Sequence, residues 1–352
     1  MRKIGVLGAG TIGMSLARML YNSGNDVLVW SAVPEEIEEC TKTRKHHNLP
    51  GMTIPDGIRF TYEIEEVCAD KDILMFAIPS VFIRQTVRRA APYIPDGQII
   101  ADVGKGIEKD TLFTMSQIIM DEINKDGKHQ NVKVVALSGP THAEEIALDM
   151  PSTIVSACED MEAAEVVQDA FMNTCMRVYT NADVIGVELC GALKNVIALA
   201  CGIAVGIGCG DNAKAALITR GMAEITKLGL KMGCMKDTFN GLAGFGDLIV
   251  TATSMHSRNN KCGMLIGKGR SVDEAVKEVG QVVEGLNALP AALELAEKYD
   301  VEMPITEALD KIVNGGADPA DVMAMLMERD RKSEIEDDAM EAFFASRKRS
   351  GK

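Results

Sequence analysis

The chain is short of positive charge relative to negative. Its 352 residues carry 37 Lys and Arg against 51 Asp and Glu, a net charge of −14 and a pI near 4.9. That balance makes the chain a poor candidate for gripping nucleic acid or an anionic membrane through a broad basic face, but leaves room for a small anion held by a few local cations. A long apolar run is also missing. The stretch Asn195–Gly210 has 16 uncharged residues, short of the ~20 that a membrane span needs. After Met1-Arg2-Lys3 the apolar stretch Ile4–Leu7 is too short for a signal peptide. Nine cysteines include no CxxC pair and sit among apolar or small residues, as buried free thiols of a cytoplasmic protein would. The five histidines show no metal-ligand spacing, so no metal site is expected.

What is present is ordinary globular material. Hydrophobic residues make up 47% and charged residues 25%, enough for a sizeable core and about two domains at ~150 residues each. The first half alternates short apolar runs (Ile4–Leu7, Val27–Trp30, Ile73–Ile78, Ile99–Val103, Val132–Leu137, Thr153–Ala157) with helix-length segments. Near-continuous apolar strands suit a parallel sheet covered on both faces, so this half reads as a doubly wound, Rossmann-like α/β domain, residues 1–182. From Asp183 onward strand signals give way to helical patterns. Residues 183–332 are expected to form an all-α substrate domain, and 333–352 a charged tail without assigned function.

Gly8-x-Gly10-x-x-Gly13 follows the first strand and opens the first helix. In that context the spacing predicts dinucleotide binding: a tight turn, close approach of backbone to a pyrophosphate, and close helix–strand packing. The second strand ends in Trp30-Ser31-Ala32-Val33. Neither an acid for a ribose 2′-hydroxyl nor a cation for a 2′-phosphate stands there, and the nearest acids, Glu35 and Glu36, read as first-turn residues that favour the next helix's dipole. The missing cation favours NAD and leaves NADP possible.

The second half carries the candidate chemistry. Glu188 and Lys194 lie on a helix that is otherwise apolar and rich in small residues. A desolvated lysine has a lowered pKa and makes a general base; the alternatives are snorkelling to solvent or a structural pair with Glu188. Asp247, amid Gly241, Gly244 and Gly246, either caps a following helix or meets that lysine. Ser257-Arg258-Asn259 at a helix start forms either a phosphate cradle or a plain N-cap. In the first half, Gly104-Lys105-Gly106 follows a strand and could polarise a carbonyl oxygen. The segment Ser138–Glu144 also ends a strand and offers N–H groups to an anion; His142 within it is read as a capping or surface residue before a catalytic acid.

Together these segments resemble the bacterial-type NAD(P)-dependent glycerol-3-phosphate dehydrogenases over residues 2–332. The resemblance rests on Gly8-Ala-Gly10-Thr-Ile-Gly13, Asn48-Leu-Pro-Gly51, Ala77-Ile-Pro-Ser80, Gly104-Lys-Gly-Ile-Glu108 and Leu137-Ser-Gly-Pro140. It continues in Gly191-Ala-Leu-Lys-Asn195, the long run Gly210–Gly221, Gly241-Leu-Ala-Gly244, Gly246-Asp247, Ser257-Arg-Asn259 and Val282-Val-Glu-Gly285. It implies interconversion of dihydroxyacetone phosphate and sn-glycerol 3-phosphate, with Lys194 as proton acceptor and donor and Asp247 and Lys105 beside it. It places Gly139, Thr141, Asn195, Thr251, Ser257, Arg258 and Asn259 in the substrate pocket. Thr11, Ile12, Ser31, Lys105, Ala143, Arg258, Val282 and Glu284 would contact the dinucleotide. Two departures stand out: Thr11-Ile12 where the family often has Ser-Trp or Ser-Phe, and Ser31-Ala32 where many members have Arg. A homodimer is the expectation for such a fold, and phospholipid synthesis the expected use of the product. A 3-hydroxy-acid dehydrogenase of the same plan, or a non-catalytic NAD(H) sensor, are the competing readings.

Overall fold

The computed structural model describes residues 1–331, 333, 334, 344 and 347; most of the expected tail, 333–352, lies outside the described residues. The first half builds one eight-stranded sheet. Its strands are β1 (Lys3–Leu7), β2 (Asp26–Trp30), β3 (Arg59–Thr61), β4 (Ile73–Phe76), β5 (Ile99–Asp102), β6 (Lys133–Ser138), β7 (Ser152–Ala157) and β8 (Met176–Asn181). Their order is β3-β2-β1-β4-β5-β6-β7-β8. Strands β1–β6 are parallel. Their interiors are buried on both faces, which is why they read as unbroken apolar runs.

The expectation of a wholly parallel sheet needs one correction: β7 runs antiparallel to β6. The connection between them holds only the five-residue helix Ala143–Ala147, too short to carry the chain back along the sheet before β7 starts. Two strands escape the pattern. β3 has three residues, and β8 alternates buried Met176 and Val178 with exposed Arg177 and Tyr179, as an edge strand does.

From Val184 to Met327 the described chain is helical. Its axis is the 23-residue helix Val184–Gly206, opened by the Asp183 side chain accepting from Gly186 N–H. It is the one described helix long and apolar enough to cross a membrane, and 83% of its most apolar 18-residue stretch is buried inside the fold. The helix Arg258–Gly267 packs against it backbone to backbone. A Cβ on Gly202 would lie 2.2 Å from the Asn260 carbonyl oxygen, and one on Gly263 2.1 Å from that of Leu199. The small residues that make the central helix look anonymous in sequence thus fix its distance to the Ser257–Asn259 segment.

Candidate active site

Four loops leave the carboxyl ends of parallel strands on one edge of the sheet: Gly8–Gly10 after β1, Ala77–Ser80 after β4, Val103–Gly106 after β5 and Gly139–Thr141 after β6. Strand order reverses between β1 and β4, where open α/β sheets bind ligands. Gly8 has φ of +113°, and a Cβ there would stand 2.3 Å from the Ala77 carbonyl oxygen; one on Gly13 would meet the Gly8 carbonyl oxygen at 2.1 Å. Gly10, the N-cap of the helix Thr11–Asn22, faces nothing within 4 Å. Two glycines therefore pack the loop, and the third borders open space at a helix N-terminus, the arrangement a pyrophosphate requires.

Around this loop the expected dinucleotide contacts are unequal. Thr11 opens the helix and Ile12 packs partly against the sheet core. The Ala143 carbonyl accepts from Ser15 Oγ at 2.9 Å, pinning that segment to the glycine-loop helix. Glu284, first residue of the helix Glu284–Lys298, accepts from Ser80 N–H and Ser80 Oγ (3.2 and 2.6 Å), joining the two halves beside half-buried Val282. Ser31 is buried and donates to Glu36 Oε2 at 2.6 Å, so an acid does stand at the end of β2. One contact had no spacing signal. His46 Nε2 lies 3.1 Å from the Ala9 carbonyl oxygen, while its Nδ1 accepts from Asn48 N–H. Burial, helped by His47, lowers its pKa, and the neutral ring braces the glycine loop.

The catalytic candidates meet in one ion-pair cluster. Lys194 projects from the central helix, buried to 5% exposure, and Asp247 is 1% exposed. Asp247 Oδ1 accepts from Lys194 Nζ, and Oδ2 from Lys105 Nζ at 2.6 Å. Lys194 Nζ also donates to Thr251 Oγ1 at 2.7 Å, and that hydroxyl donates to the Asp247 carbonyl. Lys105 Nζ donates to the Gly139 carbonyl (3.2 Å), which Thr141 Oγ1 also engages (3.0 Å). The absent side chain at Gly191 leaves room for the Lys105 stem: a Cβ there would be 3.4 Å from Lys105 Cγ.

Both sequence alternatives for the central acid and base are thereby resolved. Glu188 does not pair with Lys194; its carboxylate takes the Ser116 N–H and hydroxyl at 2.7 and 2.6 Å. Asp247 is not a cap, since Gly246 precedes it as N-cap and its carboxylate faces the two lysines. A π-helical turn over Leu242–Gly246 delivers it there; such turns recur at functional sites. Burial pushes the Lys194 ammonium down to about 7, with Lys105 adding to the shift and Asp247 opposing it. Burial alone would raise the Asp247 carboxyl, but the two lysines hold it below its usual value.

The phosphate-cradle candidates divide. Ser257 is the N-cap of the helix Arg258–Gly267, its side chain accepting from Asn260 N–H, so the capping reading is right for its hydroxyl. Arg258 is exposed, with only a 3.4 Å bond to Gln281. Asn259 is committed inward. It donates to Asn195 Oδ1 (2.9 Å) and accepts from Gly285 N–H (2.8 Å), while Asn195 donates to the Gly191 carbonyl. These two amides tie three helices together behind the lysines. Among the described residues, four buried side-chain polar atoms have no hydrogen-bond partner, and three lie in these strand-end segments: Asp102 Oδ1, Ser138 Oγ and His142 Nε2. Asp102, beneath the Lys105 loop, has its pKa raised well above the usual value by burial and by Glu188.

Comparison with known proteins gives one answer along the chain. Residues 3–164 match the family described as NAD-dependent glycerol-3-phosphate dehydrogenase N-terminus, and residues 183–324 the corresponding C-terminus. Glycerol-3-phosphate dehydrogenase [NAD(P)+] 2 of Lactobacillus delbrueckii subsp. bulgaricus is 67% identical over 335 residues, covering 95% of this chain and 99% of that one. The Bacillus subtilis glycerol-3-phosphate dehydrogenase [NAD(P)+] is 46% identical over 96% and 97%. The crystal structure of the Coxiella burnetii glycerol-3-phosphate dehydrogenase superposes with a TM-score of 0.87 at 32% identity, over 93% of this chain and 99% of that chain.

Proposed function

The chain belongs to the NAD-dependent glycerol-3-phosphate dehydrogenase family, and from that premise we propose a role for each residue of the lysine–aspartate cluster. The enzyme interconverts dihydroxyacetone phosphate and sn-glycerol 3-phosphate by hydride transfer with a nicotinamide dinucleotide. Lys194 is the general acid–base. As a neutral amine it takes the C2 hydroxyl proton in oxidation, and as an ammonium it returns that proton in reduction. A pKa of about 7 keeps both forms populated near neutrality. A nicotinamide dinucleotide, when bound, would supply the hydride chemistry at C2. The open face of Gly10 and the N-terminus of the helix Thr11–Asn22 would hold its pyrophosphate.

The observation that carries this reading is one carboxylate shared by two lysines from opposite halves of the chain. Asp247 fixes the direction of the Lys194 lone pair and keeps the second cation, Lys105, beside the reacting oxygen. Lys105, Arg258 and the N-terminus of the helix Arg258–Gly267 attract the phosphate dianion. Asn195, Asn259 and Ser257 serve by holding helix positions, since their polar atoms are engaged within the protein. We take residues 1–182 as the dinucleotide-binding domain and 183–332 as the substrate domain.

Cofactor choice follows from the end of β2. Glu36, held by Ser31, is an acceptor for a ribose 2′-hydroxyl and would repel a 2′-phosphate, so NAD is preferred over NADP. Nine free thiols, seven of them buried, suit a reducing cytoplasm, where sn-glycerol 3-phosphate supplies glycerophospholipid synthesis. The test is steady-state kinetics with dihydroxyacetone phosphate under NADH and NADPH in parallel, alongside acetoacetate-type and pyruvate-type acids. Turnover with dihydroxyacetone phosphate and a preference for NADH are expected. Turnover only of the carboxylates overturns the reading, and a preference for NADPH overturns the role of Glu36.

A further inference from the structure

His142 stands apart from the cluster just described, yet it faces it. It precedes the helix Ala143–Ala147 without using its side chain as a cap. Its ring hydrogen-bonds to the Val250 backbone and interacts electrostatically with Lys194 and Asp247. Nε2 is buried and has no partner, so the bond to Val250 belongs to Nδ1. A carbonyl can only accept, hence Nδ1 carries the proton. Burial and the charge of Lys194 hold the ring neutral. Nε2 is therefore left as a lone-pair acceptor, fixed in direction. The tilted ring of exposed His256, its centroid 5.9 Å away, precedes Arg258 by two residues. The ring thus lies within electrostatic reach of the acid–base lysine and beside the segment that leads into Arg258.

An acceptor excludes most partners. It cannot pair with a phosphate dianion or a carboxylate, which offer no proton. The substrate has one group left once Lys194 serves C2 and the cations serve the phosphate: the primary hydroxyl, a donor. We propose that His142 is a specificity-determining residue whose Nε2 accepts the hydrogen bond of the substrate's primary hydroxyl. The inference deepens the glycerol-3-phosphate reading and rests on it. The nitrogen is already buried and unpaired in the free protein, so a substrate carrying that hydroxyl gains a hydrogen bond that a deoxy analogue cannot make.

The test compares dihydroxyacetone phosphate with hydroxyacetone phosphate, which lacks only the primary hydroxyl. Each is measured as substrate, and the analogue also as competitive inhibitor, in wild type, His142→Phe and His142→Gln. Wild type should prefer dihydroxyacetone phosphate at least ~10-fold in kcat/KM. His142→Phe should lose ~10-fold or more on it, while kcat/KM and Ki for the analogue stay within ~3-fold. His142→Gln, whose amide oxygen can accept near the Nε2 position, should restore part of the preference. NADH affinity by fluorescence titration should not change. Equal losses on both compounds, or an unchanged ratio, would overturn the proposal. A selective loss of NADH affinity would reassign the nitrogen to the nicotinamide carboxamide and overturn it equally. Failure of the wild type to reduce dihydroxyacetone phosphate would instead refute the underlying reaction.

Discussion

Replacing Lys105 by Met separates the two charges that set the proton affinity of Lys194. Lys105 and Lys194 bind different oxygens of Asp247. Two unit charges ~5 Å apart at an effective dielectric of about 20 repel by about 3 kcal/mol, or ~2 pK units. Methionine keeps the apolar stem that lies against Gly191 but removes the charge. Asp247 then stabilises Lys194 alone, and any water filling the gap reduces desolvation. All three effects raise the Lys194 pKa from about 7, by ~1–2 units after allowing for solvent screening. The assay is kcat/KM for NADH-dependent reduction of dihydroxyacetone phosphate between pH 6.5 and 10, a profile that reports groups of the free enzyme. The substrate phosphate, with its second pKa near ~6, is essentially dianionic over most of that window. Wild type should lose activity as pH rises through about 7, where Lys194 gives up the proton it must donate. The variant should be slower at its plateau, yet hold that plateau ~1–2 units further into alkali. An unchanged or lowered midpoint would refute the account of Lys105 as the cation that depresses Lys194.

Three further outcomes follow from the same geometry. Lys194→Ala should abolish turnover while NADH affinity stays within a few-fold; persistent turnover would remove Lys194 from proton transfer. Gly10→Ala adds a methyl group where nothing lies within 4 Å, whereas Gly13→Ala drives one to 2.1 Å from the Gly8 carbonyl oxygen. The first variant should keep its thermal midpoint and lose cofactor affinity; the second should lose stability, as differential scanning fluorimetry and NADH titration would show. His129 faces acceptors from both ring nitrogens, the Ile94 carbonyl on one side and the Ile123 carbonyl and Asp126 on the other. Burial works against its charge, but these acceptors win and raise its pKa. Its contribution is therefore complete below the unfolded value of ~6.5 and lost as pH rises through the higher folded value. In urea titrations the stability gap between wild type and His129→Gln should narrow from pH 6 to pH 9, and a widening gap would contradict the sign.

Much of the architecture is written in local patterns. Buried parallel strands need apolar residues on both faces, so six of the eight strands stand out as runs. β8 does not, because only one of its faces is covered, and β3 is too short to form a run. The direction of β7 is absent from β7 itself: it depends on whether the preceding connection can span the sheet. His46 gave no signal either, since its partner is a backbone carbonyl 37 positions away.

By itself the sequence determined where a phosphate-binding turn must form, because three glycines at fixed spacing between a strand and a helix act within a dozen residues. It also determined that Lys194 needed a partner, because an apolar helix cannot bury a lone ammonium. Spacing alone left open which partner, and only the family resemblance put Asp247 beside it. Glu188, six residues away on the same helix, was as available in sequence as Asp247, 53 positions off. Only the tertiary structure decided, by turning Glu188 toward Ser116 and bringing a glycine-bent helix and a strand-end lysine 142 positions from Asp247 to one point. Chain-local spacing encodes turns and faces. The meeting of charges depends on how closely helices approach, and glycines on two different helices set that distance here.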